Sequence, residues 1–347
     1  MDKLKICVIF GGCSPEYPVS LQSAAGLIDS MDREKFEPIL LGITKEGKWL
    51  YYDGDTVGMR LDTWWLNNAV SATLSPDMGS RELLVLENEV RHIKLDAIFP
   101  VLHGENGEDG SVQGLCQLSG IPLIGCKTLS SALCMDKIRA HELVSLQNVA
   151  TSKALVFDAP LDFEKLSKKA EELGYPLFVK PVRAGSSFGI SKVQDRNHLK
   201  DAVIEALKFD SRVILEENIE GVEIGCAVMG RNELITGELD EIELSKDFFD
   251  YGEKYSLKSS KIHVPARVTQ EKAAEIKETA KIIYKTLDCD DFARVDMFLK
   301  PDGKIYFNEV NTIPGLTPHS RFPGMMKAAG FEMKELVSKI ILDSLNG

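Results

Sequence analysis

Residues Phe292–Gly315 read FARVDMFLKPDGKIYFNEVNTIPG, and this stretch decides the fold of the C-terminal part of the chain. Lys300-Pro301-Asp302-Gly303 predicts a turn, because Pro presets φ and Gly accepts a positive φ. If the turn joins two antiparallel strands, the two-residue period of strands places four polar side chains on one face: Arg294, Asp296, Glu309 and Asn311. Two carboxylates and an amide oxygen in one place are ligands that suit Mg²⁺.

A solvated strand face that carries an Arg–Glu ion pair is the alternative interpretation of this pattern. The residues between the polar positions include Val295, Phe307 and Val310, which indicate a sheet that is packed on at least one side. A polar face on a packed sheet favours the metal site over the solvated face.

Upstream, Lys180–Gly189 reads KPVRAGSSFG and lies between two predicted strands, so it predicts a hairpin-like flap. The backbone N–H groups of such a loop form a site for an anion, and the hydroxyls of Ser186 and Ser187 add donors. Lys180 can meet a phosphate as a point charge. The same loop also matches the G-x-S-x-G nucleophile elbow of serine hydrolases, but an elbow requires a following helix, whereas Ile190–Val193 predicts a strand.

The N-terminal part predicts a parallel α/β domain. Lys5–Phe10 (KICVIF) is an apolar run typical of a buried parallel strand, and it ends in a possible ligand loop, GGCSPE. A second strand, Leu95–Leu102, leads into the loop HGENGEDGSVQG at His103–Gly114. Trp64-Trp65 lies in a polar stretch between the two units to which the sequence assigns no element.

The composition excludes several classes of function. The 347 residues carry a formal net charge of −12, which argues against a nucleic-acid partner and against binding to anionic membranes. We find no signal peptide and no apolar run of about 20 residues, so we expect a cytoplasmic protein with no membrane partner. The seven cysteines include no C-x-x-C pair, so we expect most of them to be small core residues rather than parts of a metal or redox site.

Taken together, the motifs GGCSPEYPVS, FPVLHGENGEDGSVQG, ALCMDK, PLFVKPVRAGSSFG, EGVEIGCAV, FDYGEKY, ARVDMF, NEVNTIPG and HSRFP resemble, in their order, the ATP-grasp D-alanine–D-alanine ligase family. Within it the chain is most similar to vancomycin-resistance ligases of the D-alanine–D-serine type, represented by VanG and VanC. The resemblance implies an α/β ATP-grasp fold with three parts: an N-terminal parallel α/β domain at 1–126, a central lid domain at 127–217 and a C-terminal mixed-sheet domain at 218–347. It also implies an ADP-forming ligase that uses D-alanine, a second D-amino acid and ATP, and a homodimer.

The resemblance further implies roles for individual residues. The nucleotide would be held by one set: Lys137 and Lys180 at the α- and β-phosphates, Lys254 at the γ-phosphate, Ser187 in the Gly/Ser loop, and Glu216 and Glu223 at adenine and ribose. Two Mg²⁺ ions, or Mn²⁺, would be bound by Asp296, Glu309 and Asn311. The ammonium of the first D-alanine would be held by Glu16, with His103 beside it. Ser186 and Tyr255 would join Glu16 in a hydrogen-bonded latch, and the oxyanion of the second step would be stabilised by Arg294 and the N–H of Gly315.

The second substrate is decided by fewer residues. Tyr255 is typical of the dipeptide-forming members and disfavours D-lactate. After Ser320, where ordinary D-alanine ligases carry Leu or Met, the chain has Arg321, which could hydrogen-bond the hydroxyl of D-serine. Phe248 or Phe249 would shape the same pocket. We therefore expect a D-alanine–D-serine ligase, with a housekeeping D-alanine–D-alanine ligase as the alternative.

Overall fold

The computed structural model describes residues 3–66, 68–185, 187–244 and 260–346. The strands, in chain order, are β1 (Leu4–Gly11), β2 (Phe36–Ile43), β3 (Trp49–Tyr52), β4 (Ala69–Leu74), β5 (Glu82–Leu86), β6 (Val90–Lys94), β7 (Ala97–Val101), β8 (Ala150–Thr151), β9 (Ala154–Asp158), β10 (Leu177–Pro181), β11 (Ser191–Val193), β12 (Arg212–Glu217), β13 (Val222–Met229), β14 (Ile235–Thr236), β15 (Asp240–Leu244), β16 (Ser260–His263), β17 (Phe292–Leu299) and β18 (Ile305–Asn311).

The helices of the described residues, also in chain order, are α1 (Tyr17–Ser30), α2 (Thr56–Arg60), α3 (Ser111–Ser119), α4 (Thr128–Met135), α5 (Lys137–Ser145), α6 (Phe163–Leu173), α7 (Arg196–Ala206), α8 (Gln270–Thr286), α9 (Arg321–Ala328) and α10 (Met333–Asn346). None of the helices in this part of the chain is both long and apolar enough to cross a membrane.

The first sheet has the strand order β6-β5-β4-β3-β2-β1-β7. β1 pairs in parallel with β2 and β7, as the sequence predicts for its buried apolar run, whereas β3–β6 continue the sheet by antiparallel pairing. The two tryptophans that the sequence left unassigned differ in burial. Trp64 is buried and donates its indole N–H to the hydroxyl of Tyr17 at 3.0 Å, while Trp65 is 46% exposed.

The second sheet is antiparallel, with the order β11-β10-β12-β9. The pairing of β10 with β11 confirms the predicted flap around the Gly/Ser loop. Helices α6 and α7 cover this sheet and share with it a hydrophobic core of its own, which contains Leu166, Leu177, Leu199 and Leu215.

The third sheet has the order β16-β15-β13-β17-β18-β8, with β14 paired to β13. Its pairs are antiparallel except for β18 with β8, so the sheet is mixed. The core of one face takes in Cys134 of α4 and Val144 of α5, so residues 128–151 pack with the third sheet although they precede the second. The boundaries at 126 and 217 stay predictions.

Candidate functional site

The predicted hairpin in Phe292–Gly315 is present and carries the centre of the site. β17 and β18 pair so that Arg294 lies opposite Asn311 and Asp296 lies opposite Glu309. The turn closes with the N–H of Gly303 donating to the carbonyl of Lys300 at 2.9 Å. The four predicted side chains share one face of the strand pair because the register shifts at a β-bulge between Asp296 and Met297. On the turn side Met297 pairs with Phe307, and without the bulge Asp296 would lie opposite Asn308, with Glu309 and Asn311 on the other face.

Asp296 is the most heavily engaged carboxylate of this face. It is 1% exposed and accepts hydrogen bonds from Arg294, through Nε at 2.9 Å and Nη2 at 2.6 Å. Asn311 donates from Nδ2 to Oδ2 of Asp296 at 3.0 Å. A buried carboxylate is tolerated when charged donors surround it, and this arrangement meets that condition.

Arg321, the first residue of α9, points its guanidinium into the same acidic group. It donates from Nε and Nη2 to the two oxygens of Asp240, at 2.7 and 2.8 Å, and from Nη1 to Glu223 at 3.0 Å. Its Nη2 also lies 3.3 Å from Asp296. The side chain is 9% exposed, so the guanidinium is fixed in a fork geometry by three carboxylates.

A glycine makes room for this group. Gly225 of β13 donates its N–H to Asp240 at 2.9 Å, and a Cβ added there would clash with Asp240 and lie 2.5 Å from Arg321 Nη2. Because β13 pairs with both β15 and β17, Gly225 brings Asp240 and Asp296 to either side of Arg321. The sheet therefore fixes the acidic residues on both sides of the arginine.

The donor set at this strand pair fits a divalent cation of the Mg²⁺ type. Asp296 and Glu309 are carboxylates from directly opposed positions, and Asn311 adds an amide. Among the described residues, no three His, Cys, Asp or Glu side chains are arranged to hold a metal ion by themselves. Proteins commonly hold Mg²⁺ through one or two carboxylates together with substrate phosphates and water.

The predicted phosphate-binding residues lie on β10 of the second sheet and at the start of α5. Lys137, at the start of α5, donates from Nζ to the carbonyl of Ala184 in the Gly/Ser loop at 2.6 Å. Lys180 forms a buried ion pair with Glu216 at 2.5 Å, and Glu216 also accepts from the hydroxyl of Ser152. The structure therefore joins Lys180 and Glu216, which the sequence assigned to phosphate and to adenine, in one pair.

The N-terminal loop brings Glu16 to the Gly/Ser loop. Glu16 is 5% exposed, and its carboxylate lies against two glycines. A Cβ on Gly104 would clash with its Oε2, and one on Gly185 would come to 2.9 Å of that atom. Since Gly185 precedes Ser186, the loop following β1 and the flap of the second sheet meet at Glu16.

His103 precedes Gly104 in the chain and is a buried, neutral imidazole. Its Nε2 is 3.2 Å from the hydroxyl of Ser23 in α1, and Ser14 donates to its backbone carbonyl at 2.6 Å. Burial lowers the pKa of His103 to about 4, and the charge of Arg294 adds to the decrease, while a hydrogen bond with the backbone of Ile313 opposes it. The ring is therefore uncharged at neutral pH.

Gly315 and Ser320 lie together after β18. A Cβ on Gly315 would come to 2.7 Å of Ser320 Oγ and 3.9 Å of Ser23 Oγ. Ser320 Oγ accepts the N–H of Thr317 at 3.2 Å, which closes a tight loop before α9. The loop after β18 thus faces α1 and connects Gly315 to Arg321.

Some predicted site residues cannot be located here. Ser187 is described and has a positive φ of 61°. Five others lie outside the described residues: Ser186, Phe248, Phe249, Lys254 and Tyr255. The latch and the predicted γ-phosphate contact accordingly stay predictions.

Sequence reasoning missed two acidic residues at this site. Asp240 is fully buried and binds Arg321. The sequence feature that could have indicated it is an Asp on the same strand face as Ile242, where an apolar residue is expected. Glu108 accepts the N–H groups of Gly104 and Ile313, and no sequence pattern pairs residues that are 205 positions apart.

Comparisons with known proteins show the family to which the chain belongs. Family models described as the D-ala D-ala ligase N-terminus and C-terminus match residues 5–126 and 149–342. A D-alanine–D-alanine ligase of Caldicellulosiruptor bescii is 45% identical, over 98% of this chain and 95% of its own. The vancomycin/teicoplanin A-type resistance protein VanA of Enterococcus faecium is 41% identical over the full length of both.

Solved structures show the same relationship. The crystal structure of the VanG D-Ala:D-Ser ligase from Enterococcus faecalis matches with a TM-score of 0.91 and 50% identity, over 99% of this chain and 100% of the other. A D-alanine-D-alanine ligase from Coxiella burnetii matches with a TM-score of 0.89 and 27% identity, over 100% of this chain and 95% of its own. The chain has the ATP-grasp fold and belongs to the D-alanine–D-alanine ligase family, whose members are ADP-forming ligases that make a peptide bond.

Proposed function

We propose that the protein is an ATP-dependent D-alanine–D-serine ligase that makes a modified peptidoglycan precursor dipeptide and so gives vancomycin resistance. The observation that carries the proposal is the buried guanidinium of Arg321, fixed by both oxygens of Asp240 at the end of the Gly315–Ser320 loop. The similarity to VanG, a D-Ala:D-Ser ligase, supports it.

A fixed guanidinium favours a substrate that carries a hydroxyl. Arg has five N–H donors. Hydrogen bonds to Asp240 and Glu223, together with the contact to Asp296, fix the orientation of the Arg321 guanidinium. A donor that these carboxylates do not use would face the second substrate. A D-alanine methyl beside such a group would leave a polar surface desolvated, whereas the hydroxyl of D-serine would satisfy it. D-alanine would be disfavoured because it leaves an N–H donor of Arg321 without a hydrogen bond, and D-serine would be favoured because its hydroxyl forms one.

The reaction would begin at the Glu16 side of the site. Glu16 would hold the ammonium of the first D-alanine, and the neutral His103 would adjoin it without repelling that cation. Lys137 and Lys180 would orient the phosphates beside the amides of the Gly/Ser loop. Asp296, Glu309 and Asn311 would hold the divalent cations, which supply charge neutralisation on the transferring group.

The second step would use the strand pair and the loop after it. The first D-alanine, activated as an acyl phosphate, would be attacked by the amine of the second D-amino acid, and phosphate would leave. Arg294, which is buried against Asp296, and the N–H of Gly315 would stabilise the oxyanion of the tetrahedral intermediate. Exclusion of water matters because an acyl phosphate hydrolyses readily.

A D-alanine–D-alanine ligase is the second candidate, favoured by the 45% identity to a relative of that name. Both candidates share the first substrate and the chemistry and differ only in the second amino acid. A homodimer, a cytoplasmic location and two Mg²⁺ ions, or Mn²⁺, stay predictions under either function.

The discriminating experiment measures phosphate release and identifies the dipeptide by mass. The purified protein is given ATP, Mg²⁺ and D-alanine, with and without equimolar D-serine near neutral pH. We expect D-Ala-D-Ser to be the main product and a chelator to abolish turnover until Mg²⁺ is restored. Mainly D-Ala-D-Ala from the mixture would exclude the D-serine function, and turnover with the chelator present would exclude the metal assignment.

Arg321→Leu tests the residue that carries the proposal. We expect the product ratio to shift towards D-Ala-D-Ala by about tenfold or more, which corresponds to the loss of one charged hydrogen bond. Arg267→Leu is the control, because Arg267 pairs with Glu241 on the same sheet but is 53% exposed. An unchanged ratio in Arg321→Leu would remove Arg321 from the account of selectivity.

A further inference from the structure

Glu108 connects two loops that lie far apart in the sequence. It lies between β7 and α3, and its Oε2 accepts the N–H of Gly104 at 3.0 Å. Its Oε1 accepts the N–H of Ile313 at 3.1 Å. One carboxylate therefore connects the loop that follows β7 of the first sheet with the loop that follows β18 of the third sheet.

Each of these loops carries a predicted part of the reaction. The loop after β7, which we call the first-substrate loop, consists of His103 and Gly104, and Gly104 presses against the carboxylate of Glu16. The loop after β18, which we call the catalytic loop, runs from Ile313 to Gly315. Glu108 thus sets the distance between the residues proposed for the ammonium of the first D-alanine and the N–H proposed for the oxyanion.

The first-substrate loop is also held by the N-terminal part of the chain. Ser14 donates to the carbonyl of His103 at 2.6 Å and fixes the chain next to Glu16. Nε2 of His103 lies 3.2 Å from the hydroxyl of Ser23 in α1. The position of this loop is therefore fixed on one side by Ser14 and Ser23 and on the other by Glu108.

The segment that carries Glu108 is itself rigid. Asp109 accepts the N–H groups of Asn106 and Ser111 at 2.8 and 3.0 Å. Gln113 donates to the carbonyl of Gly107 at 2.6 Å. A carboxylate on such a segment can hold other loops in place, because its own backbone is fixed by hydrogen bonds on both sides.

We propose that Glu108 is a positioning residue of the ligase reaction, which holds the first-substrate loop in register with the catalytic loop so that the first D-alanine lies correctly for activation and for attack. This inference rests on the proposed placement of the first D-alanine between Glu16 and Gly315. It does not depend on which amino acid is the second substrate.

The test is the steady-state kinetics of Glu108→Gln and Glu108→Ala, from ADP release as D-alanine and ATP are varied separately. Gln has the volume of Glu but only one acceptor oxygen, so its two terminal atoms cannot accept the N–H groups of both Gly104 and Ile313. We expect kcat/KM for the first D-alanine to fall about tenfold or more in both variants, since small misplacements of reacting groups have effects of this size. We expect the KM for ATP to stay within about twofold.

Amide hydrogen exchange gives an independent readout. The N–H groups of Gly104 and Ile313 should exchange faster in Glu108→Gln, whereas the strands of the three sheets should keep their protection. Glu105→Gln is the matched control, because Glu105 is an exposed carboxylate of the same segment. Its kinetics and exchange should equal those of the wild type.

Three results would overturn the proposal. One is a first-substrate kcat/KM in Glu108→Gln that matches Glu105→Gln. Another is an equal loss in ATP affinity and in thermal stability, which would indicate a general structural role. The third is unchanged exchange at Gly104 and Ile313. A failure of the D-serine assignment would appear instead in the dipeptide made by the wild type.

Discussion

At the scale of single residues, Gly225 is the position on which the acidic group around Arg321 depends. Its missing side chain lets Asp240, Arg321 and Asp296 meet above β13, and an added Cβ would lie within 3.1 Å of an atom of each. The backbone there needs no positive φ, so the restriction is one of space. A substitution of Gly225 therefore tests the close packing of Asp240, Arg321 and Asp296, and not a requirement for an unusual backbone conformation.

We predict that Gly225→Ala lowers kcat/KM for the second D-amino acid by about tenfold or more and destabilises the fold by about 1–3 kcal/mol. Overpacking in a filled interior has effects of that size on stability, and displacement of Arg321 accounts for the kinetic loss. Steady-state kinetics and urea unfolding measure the two effects.

Gly324→Ala is the matched control for that variant. Gly324 lies in α9 with Arg321, and a Cβ there would contact no atom within 4 Å. Ala should be neutral or stabilise the helix by up to about 1 kcal/mol. If Gly225→Ala were as active as Gly324→Ala, the close packing around Arg321 would have no part in catalysis.

Sequence patterns predicted the residues of this site that share one strand pair, but not those that meet across the fold. The sequence predicts the turn and the strands that carry Arg294, Asp296, Glu309 and Asn311, but not the β-bulge between Asp296 and Met297 that brings the four to one face. The contact of Arg321 with Asp240 joins α9 to β15 across 81 positions, and the period of neither element specifies a partner at that distance. Such contacts depend on the order of strands in the sheet.

At the scale of elements, the pairing of β10 with β12 places Lys180 and Glu216 diagonally across the second sheet. Lys180 lies opposite Ile214, and Glu216 lies opposite Phe178. Burial opposes ionisation of Glu216, but the charge of Lys180 and the hydrogen bonds from Lys180 and Ser152 outweigh it and lower the pKa to about 2. The pair therefore stabilises the folded sheet in its ionised form.

This shift predicts a pH dependence of stability. The folded-state pKa lies below the unfolded value of about 4.3, so the stabilising contribution is complete above that value and is lost as the pH falls towards 2. Between pH 7 and pH 3 the difference in unfolding free energy between the wild type and Glu216→Gln should shrink by about 2 kcal/mol. Urea unfolding at a series of pH values measures it.

Glu205→Gln provides the comparison for this experiment. Glu205 forms a Lys–Glu pair of the same length with Lys208, but both side chains are about half exposed. Solvent screens such a pair, so its contribution should be small at every pH. A curve for Glu216→Gln that runs parallel to the wild type down to pH 3 would show that the buried pair contributes no pH-dependent stability.

The success of prediction at this scale differed between elements. β1, β7 and the pairs β10–β11 and β17–β18 carry apolar runs, Gly-rich loops or a Pro-Asp-Gly turn, and these features have local causes. β3, β4 and β5 carry the aromatic, β-branched and apolar residues that strands favour, but they are only four to six residues long and partly exposed, so their pattern is too short to stand out from the polar stretch around them. The pairing of each of these strands with its neighbour completes the sheet.

At the scale of the whole molecule, the net charge of −12 and the anionic substrates require cations to be concentrated at the site. Arg294 and Arg321 both contact Asp296 of the third sheet, Lys180 lies on β10 of the second sheet, and Lys137 contacts the Gly/Ser loop that follows β10. Three of these cations, Arg294, Arg321 and Lys180, are paired with carboxylates. The site thus gathers cations within an acidic protein, and the carboxylates beside them balance much of their charge.

The hydrophobic cores show which parts of the molecule are coupled. One cluster contains Phe99 of the first sheet, Phe292 of the third sheet, Phe322 of α9 and Ile340 of α10. The ring of Phe292 lies 5.7 Å from those of Phe99 and Phe322. The first and third sheets are therefore tied through shared side chains, whereas the second sheet has its own core.

We predict that Phe292→Ala destabilises the first and third sheets together, by about 3–5 kcal/mol, because the truncation leaves a cavity where the two sheets share a core. In hydrogen exchange followed by mass spectrometry, β7, β17 and α10 should lose protection in parallel, while β10 and β12 keep theirs. Leu199→Ala is the counterpart in the core of the second sheet, and there the loss should be confined to β10–β12. If Phe292→Ala left β7 as protected as in the wild type, the first-substrate loop and the catalytic loop would not share a rigid base, and Glu108 would have to hold them in register alone.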